Sequence, residues 1–228
     1  KGPAAVACRD LRELARRRGV EFLFEGAVMD GIPVFNLVRE TLPAVRVLGF
    51  RGVVNSTTNY VITALEEGRT AAEAIAEMQA AGIAEADPSL DLEGWDAAAK
   101  VAVLANALMD ADLTPDAVPR EGIADLTAGR VQEAVARGAR LRLVAQARRE
   151  GSRIESRVAP TELPAGDLLA TLRGTANALV LETDVLGELA VVQPRGSLEQ
   201  TAYALVTDLA SLSRRLRAPR PARADRTP

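Results

Sequence analysis

The stretch VRVLGFRGVVNSTTNYVITALEEG, Val45 to Gly68, decides the fold class. Its first ten residues are apolar and β-branched enough for a buried strand, and the sequence then changes character at Asn55. Asn55 and Ser56 are short polar groups that accept the free N–H groups of a helix start, and Gly68 supplies its stop. A strand that runs straight into a helix belongs to an α/β or α+β domain. The junction NSTTNY (55–60) sits where open sheets bind ligands, and a helix N-terminus there favours an anion such as a substrate carboxylate. Ordinary N-capping accounts for one or two of those polar residues but not for all of them.

Working outward, Arg9 to Arg18 has the period of an amphipathic helix, which Gly19 ends. VEFLFEGAV (20–28) reads as a buried strand, MDGIP as a turn, and Val34 to Leu42 as a short helix. Downstream, Thr70 to Ala81 and Trp95 to Met109 read as helices on either side of an acidic loop. RLRLVAQARREGSRIESRVAPTEL (140–163) alternates like two strands paired about a Glu150–Gly151 turn. Elements continue to about residue 192, Leu198 to Leu216 reads as a terminal helix, and the Pro- and Arg-rich end (217–228) as disordered. The expected architecture is α/β (α+β), a mixed β-sheet with covering helices. There is no internal repeat and no GxGxxG phosphate loop.

Composition narrows the chemistry. The chain has 228 residues, 48% apolar but only 3% aromatic, so its core is built from Ala, Val and Leu. A net charge of −3 argues against a nucleic-acid or anionic-membrane partner. No apolar run approaches the ~20 residues of a membrane span. A single cysteine, Cys8, excludes an internal disulfide and points to a reducing, cytoplasmic setting. Histidine is absent, which removes the commonest general base and most zinc sites. Catalysis here falls to Lys, Asp, Glu, Tyr or backbone groups.

One run answers that restriction. GIAEADPSLDLEGWDAAAK (82–100) gathers Glu85, Asp87, Asp91, Glu93 and Asp96 and closes on Lys100. Asp96 and Lys100 are four apart on a helix and share a face, next to the loop with Glu85 and Asp91. A lysine among carboxylates can act as a positioned proton carrier. The plainer alternative is an exposed ion pair beside a solvated loop. A calcium loop does not fit, because Leu92 and Ala98 stand where its Gly and Glu belong, counted from Asp87. In EGAVMDGIP (25–33), Gly26 and Gly31 permit a turn that could aim carbonyls at a cation, and a plain strand–helix turn fits the same spacing.

These pieces resemble the homoserine dehydrogenase family. Its signature A-[DE]-P-x-x-D-x-x-G-x-D-x-x-x-K is met without departure by Ala86, Asp87, Pro88, Asp91, Gly94, Asp96 and Lys100. GVVNSTTNY, EGAVMDGIPV, LRGTANALVL (172–181) and the opening KGP are similar to further family segments, so the likeness runs from Lys1 to about Leu216. It implies reversible oxidation of L-homoserine to L-aspartate 4-semialdehyde with NAD or NADP, on the route to threonine, methionine and isoleucine. It implies Lys100 as acid/base, Asp96 and Glu85 orienting it and holding the substrate amine, Asp91 as a further amine contact, and Ser56 and Thr57 as substrate contacts. It implies Lys1 between cofactor and substrate, Gly196 at the cofactor, and Glu25, Val28, Asp30 and Ile32 offering oxygens to a sodium ion. It also implies a homodimer, and a Rossmann-type nucleotide-binding half ahead of Lys1 that this chain lacks, so that the segment alone is inactive. By that likeness residues 1–24 trail from the nucleotide-binding domain, 25–192 form the catalytic and dimerisation domain, and 193–216 return to the nucleotide-binding domain.

Two positions and one stretch depart from the family pattern. Ser56 stands for a usual Gly, Ile83 for a frequent Tyr, and QPRGSLEQTA (193–202) keeps few of the family's loop glycines. Two other readings stand beside the enzyme: a non-catalytic amino-acid-binding paralogue serving as sensor or subunit, and a helical oligomerisation scaffold whose charges are solvated faces.

Overall fold

The structure, a computed structural model, describes residues 1–217. The expected tail lies, apart from Arg217, outside the described residues. The chain opens with α1 (Gly2–Val6) and α2 (Cys8–Arg18), the latter stopped by Gly19 at φ +65°. A 3-10 turn (Glu25–Ala27) precedes α3 (Val34–Asn36), which runs on into a π-helical turn at Leu37–Thr41. Then come β1 (Val47–Val53), α4 (Ser56–Glu66), α5 (Ala71–Ala80), α6 (Ser89–Leu92), α7 (Trp95–Leu108) and α8 (Ala128–Ala136). The remainder is β2 (Ala139–Glu150), β3 (Arg153–Pro164), β4 (Asn177–Thr183), β5 (Gly187–Gln193) and α9 (Leu198–Arg217).

The strands form one sheet in the order β3-β2-β1-β4-β5. The α+β class stands, but the sheet, expected to be mixed, is antiparallel at every pairing of its strands. The reason is in the connections. Two hairpins, turning near Gly151 (φ +60°) and Gly187 (φ +69°), flank β1. Hairpins need only a tight turn, whereas a parallel neighbour needs a long crossover.

The buried strand expected at 20–28 is not one. Residues 20–24 are extended, with no other strand beside them among the described residues, and the chain turns at Glu25. A strand requires a neighbour to take its backbone groups. Phe24 packs instead against Phe22 and Phe35 in tilted ring pairs, with centroids about 5 Å apart.

One sheet face, with Phe50, Leu141, Leu143, Leu179 and Leu181, packs on α4, α7 and α8. Helix α7 is buried nearly all round, through Ala97, Ala98, Val101, Ala102, Val103, Leu104 and Ala105. Its alanines let it approach its neighbours closely, which fixes the height of its first turn relative to the end of β1. On the opposite face the short turn at Leu169–Thr171 covers a smaller cluster around Val53, Val144 and Val180. There the fully buried Arg142 of β2 donates to Glu66 Oε1 at 2.6 Å and to the Ala170 carbonyl at 2.9 Å. That pair fastens the last turn of α4 to the sheet. No helix among the described residues is long and apolar enough to cross a membrane.

Candidate active site

Two helices begin side by side here. Helix α4 is capped by Asn55, whose Oδ1 accepts the Thr58 N–H at 2.8 Å. Helix α7 is capped by Gly94 at φ +81°, a left-handed conformation that explains a glycine two residues before Asp96. Asp96 lies in the first turn of α7 and Lys100 one turn later, as their spacing predicts. Lys100 Nζ donates to Asp96 Oδ2 at 2.9 Å and to the Val54 carbonyl, just past β1, at 2.5 Å. Lys1 Nζ reaches the other oxygen of Asp96. Asp96 is 9% exposed and Lys100 15%, so the plain reading of an exposed surface pair does not hold.

Burial pushes the Asp96 carboxyl up. The charges of Lys100 and Lys1 and the hydrogen bonds from Asn55 and Lys1 more than offset this and hold it well below the ordinary carboxylate range. Asp96 is therefore a fixed negative charge. It engages Lys100 together with Lys1 and Asn55, and Lys100, with Asp96 and Val54 taking two of its three N–H donors, keeps one for the opening beside it.

That opening is a cavity of about 640 Å³. Lys1, Asp30, Ser56, Thr57, Glu85, Asp91, Asp96, Lys100 and Gly196 all line it, so the structure brings together every predicted catalytic, substrate and cofactor residue. Its charged lining is five acids (Asp30, Glu85, Asp87, Asp91, Asp96) against two lysines. Such a wall selects a ligand with a cationic group. Leu90, Trp95 and Pro115 give the cavity an apolar side.

The Ser56 hydroxyl is engaged away from the cavity, donating to the Thr175 carbonyl at 3.2 Å and accepting from Asn177 Nδ2 at 2.9 Å. It staples α4 to β4. Gly196 sits tightly over this staple, since a Cβ on it would lie 3.1 Å from Asp30 Oδ2 and 3.2 Å from Ser56 Oγ. Asp30, itself at φ +48°, accepts from Thr201 Oγ1 at 3.2 Å and draws the start of α9 to the rim.

The four candidate cation-holding residues are less uniform. Val28 and Asp30 line the cavity. The buried Glu25 carboxylate accepts the N–H groups of Phe35 (2.7 Å) and Asn36 (2.8 Å) and the Asn36 side-chain amide. Burial raises its pKa against the lowering effect of those bonds. The Ile32 carbonyl already accepts the Val34 N–H at 2.9 Å. Among the described residues no group of three or more His, Cys, Asp or Glu side chains is arranged to hold a metal ion. Side chains alone build no metal site among them, so a cation would be held mainly by backbone carbonyls, and no step is assigned to one.

Two features were hidden in the sequence. Asn55 reads as a cap, but its Nδ2 also donates to Asp91 Oδ1 at 2.8 Å and Asp96 Oδ2 at 2.9 Å. Residues 119–123 form a strap from the sheet edge to the acidic loop: Glu121 N–H donates to the Val158 carbonyl at 2.8 Å and Ile123 N–H to the Leu92 carbonyl at 2.6 Å. A Cβ on Gly122 would lie 2.2 Å from the Leu92 carbonyl oxygen, so only glycine fits. The Arg120 guanidinium covers the Trp95 ring 3.2 Å from its centroid.

The homoserine dehydrogenase family profile matches residues 33–210 of this chain. The chain belongs to that family. A homoserine dehydrogenase of Pseudomonas canavaninivorans, named NAD(+)-dependent, is 40% identical over 211 residues, which are 92% of this chain and 60% of that protein. The Pseudomonas aeruginosa homoserine dehydrogenase is 39% identical over 94% of this chain and 50% of its own length. The crystal structure of the Thiobacillus denitrificans homoserine dehydrogenase superposes with a TM-score of 0.87 at 34% identity, over 99% of this chain and 52% of that one. The chain thus spans about half to three fifths of the length of these homoserine dehydrogenases.

Proposed function

We propose that this chain is the substrate-holding part of a homoserine dehydrogenase that interconverts L-homoserine and L-aspartate 4-semialdehyde, in a protein that supplies NAD or NADP from a preceding nucleotide-binding half. The observation that supports this most is the acid-rich cavity closed over the buried Asp96–Lys100 pair.

Homoserine brings an ammonium, a carboxylate and a hydroxyl. Glu85 and Asp91 pair with the ammonium. The first-turn N–H groups of α4, at Ser56 and Thr57, receive the carboxylate. Lys100 faces the hydroxyl: as the neutral amine it takes the hydroxyl proton during oxidation, and as the ammonium it returns one to the carbonyl oxygen during reduction. Asp96 and the Val54 carbonyl fix the direction of the Lys100 ammonium. The nicotinamide cofactor supplies the hydride acceptor when bound, and Lys1 and Gly196 are the residues of this segment that would meet it.

The domain reading follows. Residues 1–24 trail from the nucleotide-binding half, 25–192 hold substrate and the dimer contact, and 193–216 return to the nucleotide-binding half. The unpaired extended segment at 20–24 supports this, because a neighbouring sheet would complete it. A cytoplasmic homodimer is the corresponding assembly, acting in threonine, methionine and isoleucine synthesis.

The test is homoserine-dependent reduction of NAD+ and NADP+ by the full-length protein, followed by absorbance. A clear rate with either is expected, and the ratio gives the cofactor preference. Homoserine binding without any rate would sink the enzyme in favour of an amino-acid sensor.

A further inference from the structure

We propose that Asn55 is a positioning residue that sets the spacing of the acidic groups above Lys100. The cap alone does not account for an asparagine. Capping needs one acceptor oxygen, and the chain uses threonine for it twice, with Thr70 on α5 and Thr127 on α8. Asn55 has an acceptor and two donor hydrogens on one short group, and all three are engaged. The Thr58 N–H on Oδ1 fixes which way the amide faces. Its NH₂ end then lies between Asp91 of α6 and Asp96 of α7, at 2.8 and 2.9 Å. At 6% exposure it is shielded from the solvent that would otherwise replace it.

One amide therefore spans two carboxylates from two different helices. It keeps them from repelling one another apart, and it stops Asp96 from turning wholly onto its lysines. The charged groups that face this arrangement are Asp91 from α6, Asp96 and Lys100 from α7, and Lys1 from the start of α1, with Asp30, Glu85 and Asp87 on the same cavity. Asp91 is left with one oxygen for an incoming ammonium, and Asp96 with its geometry toward Lys100 fixed.

The experiment uses the full-length protein with Asn55→Ser and Asn55→Asp. Both keep a capping oxygen. The unfolding midpoint of Asn55→Ser is expected to stay near that of the parent, and that of Asn55→Asp to fall at about pH 8, where the added carboxylate is charged beside two others, and to recover toward about pH 6. Asn55→Ser is expected to lose at least about tenfold in kcat/KM for homoserine, shared between a higher KM and a lower kcat, for two charge-assisted hydrogen bonds removed. Asn55→Asp places a third carboxylate beside two others. Its activity is expected to fall below that of Asn55→Ser at about pH 8 and to recover at about pH 6, where the added carboxyl takes a proton and donates again. This kinetic arm rests on the homoserine reading.

A second arm does not rest on it. In ligand-free protein with ¹³C-labelled aspartate, Asn55→Asp is expected to show one more carboxyl titrating above the usual aspartate range than the parent does. That extra titration, in a parent that does not oxidise homoserine, would remove the reaction and keep the positioning role. Unchanged kinetics in both variants would overturn it, as would the lack of an extra high-titrating carboxyl. A fall in the unfolding midpoint of Asn55→Ser large enough to account for its loss of activity would reduce Asn55 to a cap and also overturn it.

Discussion

Helix α4 has a buried charge network at each end, and the two are built for different ends. At its last turn, Glu66 meets Arg142 on the sheet, with Arg140 and Arg173 close by, and the side chains of Glu66 and Arg142 are 3% and 0% exposed. At its first turn, Asn55 leads to Asp91, Asp96 and Lys100, and the network opens into a cavity. The first arrangement holds both terminal nitrogens of Arg142 on Glu66 and backbone carbonyls and opens onto no large cavity among the described residues, though the buried Arg142 Nε is left without a partner there. The second leaves a lysine and several carboxylates with directions still to fill. Burial alone does not mark a reactive ion pair. Burial beside an opening does.

The sharpest way to break this contrast is to remove one partner at each end. Glu66→Ala strands the fully buried Arg142 guanidinium and is expected to cost about 3–5 kcal/mol in denaturant unfolding of the full-length protein. Lys100→Ala is expected to lower turnover about a hundredfold or more while unfolding changes far less, because the cavity lets water reach Asp96. If Lys100→Ala unfolds the protein and Glu66→Ala does not, the assignment of structural and reactive ends is reversed. Asp91→Ala is a smaller lesion. It is expected to raise the homoserine KM about tenfold with kcat largely kept, and an unchanged KM would take Asp91 out of the site.

The smallest expected effect is a slope. The folded-state pKa of Asp96 lies below its unfolded value, so its stabilising contribution is present above the ordinary aspartate pKa and fades as pH falls toward the lowered value. Asp96→Asn is expected to flatten the acid limb of the stability curve below about pH 4 while also lowering turnover. An acid limb as steep as the parent's would mean the carboxyl is not held down by its lysines.

What could be read from residues alone follows the range of the interactions. The cap at Asn55, the i,i+4 pair at Asp96 and Lys100, and the hairpin about Glu150–Gly151 are local, and each stands where its spacing placed it. The strand order and its antiparallel sense depend on which elements find one another, and a stretch such as 45–54 has no mark for that. VEFLFEGAV has the composition of a strand but lacks a partner here, so composition misled. The double use of the Asn55 amide and the glycine needed at 122 arise from contacts 30 or more residues away in sequence. The Glu25 carboxylate is taken up by the N–H groups of Phe35 and Asn36, ten and eleven residues on, a use that the turn-like spacing of 25–33 does not announce.

The extended run at 20–24 has a practical side. Its phenylalanines cover one another, but its main chain is a row of hydrogen-bonding groups with no strand alongside among the described residues. The helix that follows the sheet, α9, exposes Tyr203, Leu205, Leu209 and Leu216. An open edge and a greasy helix are what make a polypeptide self-associate in a test tube. Material spanning only these residues is best handled dilute, and a longer span that covers both surfaces is the better reagent for crystallisation and kinetics.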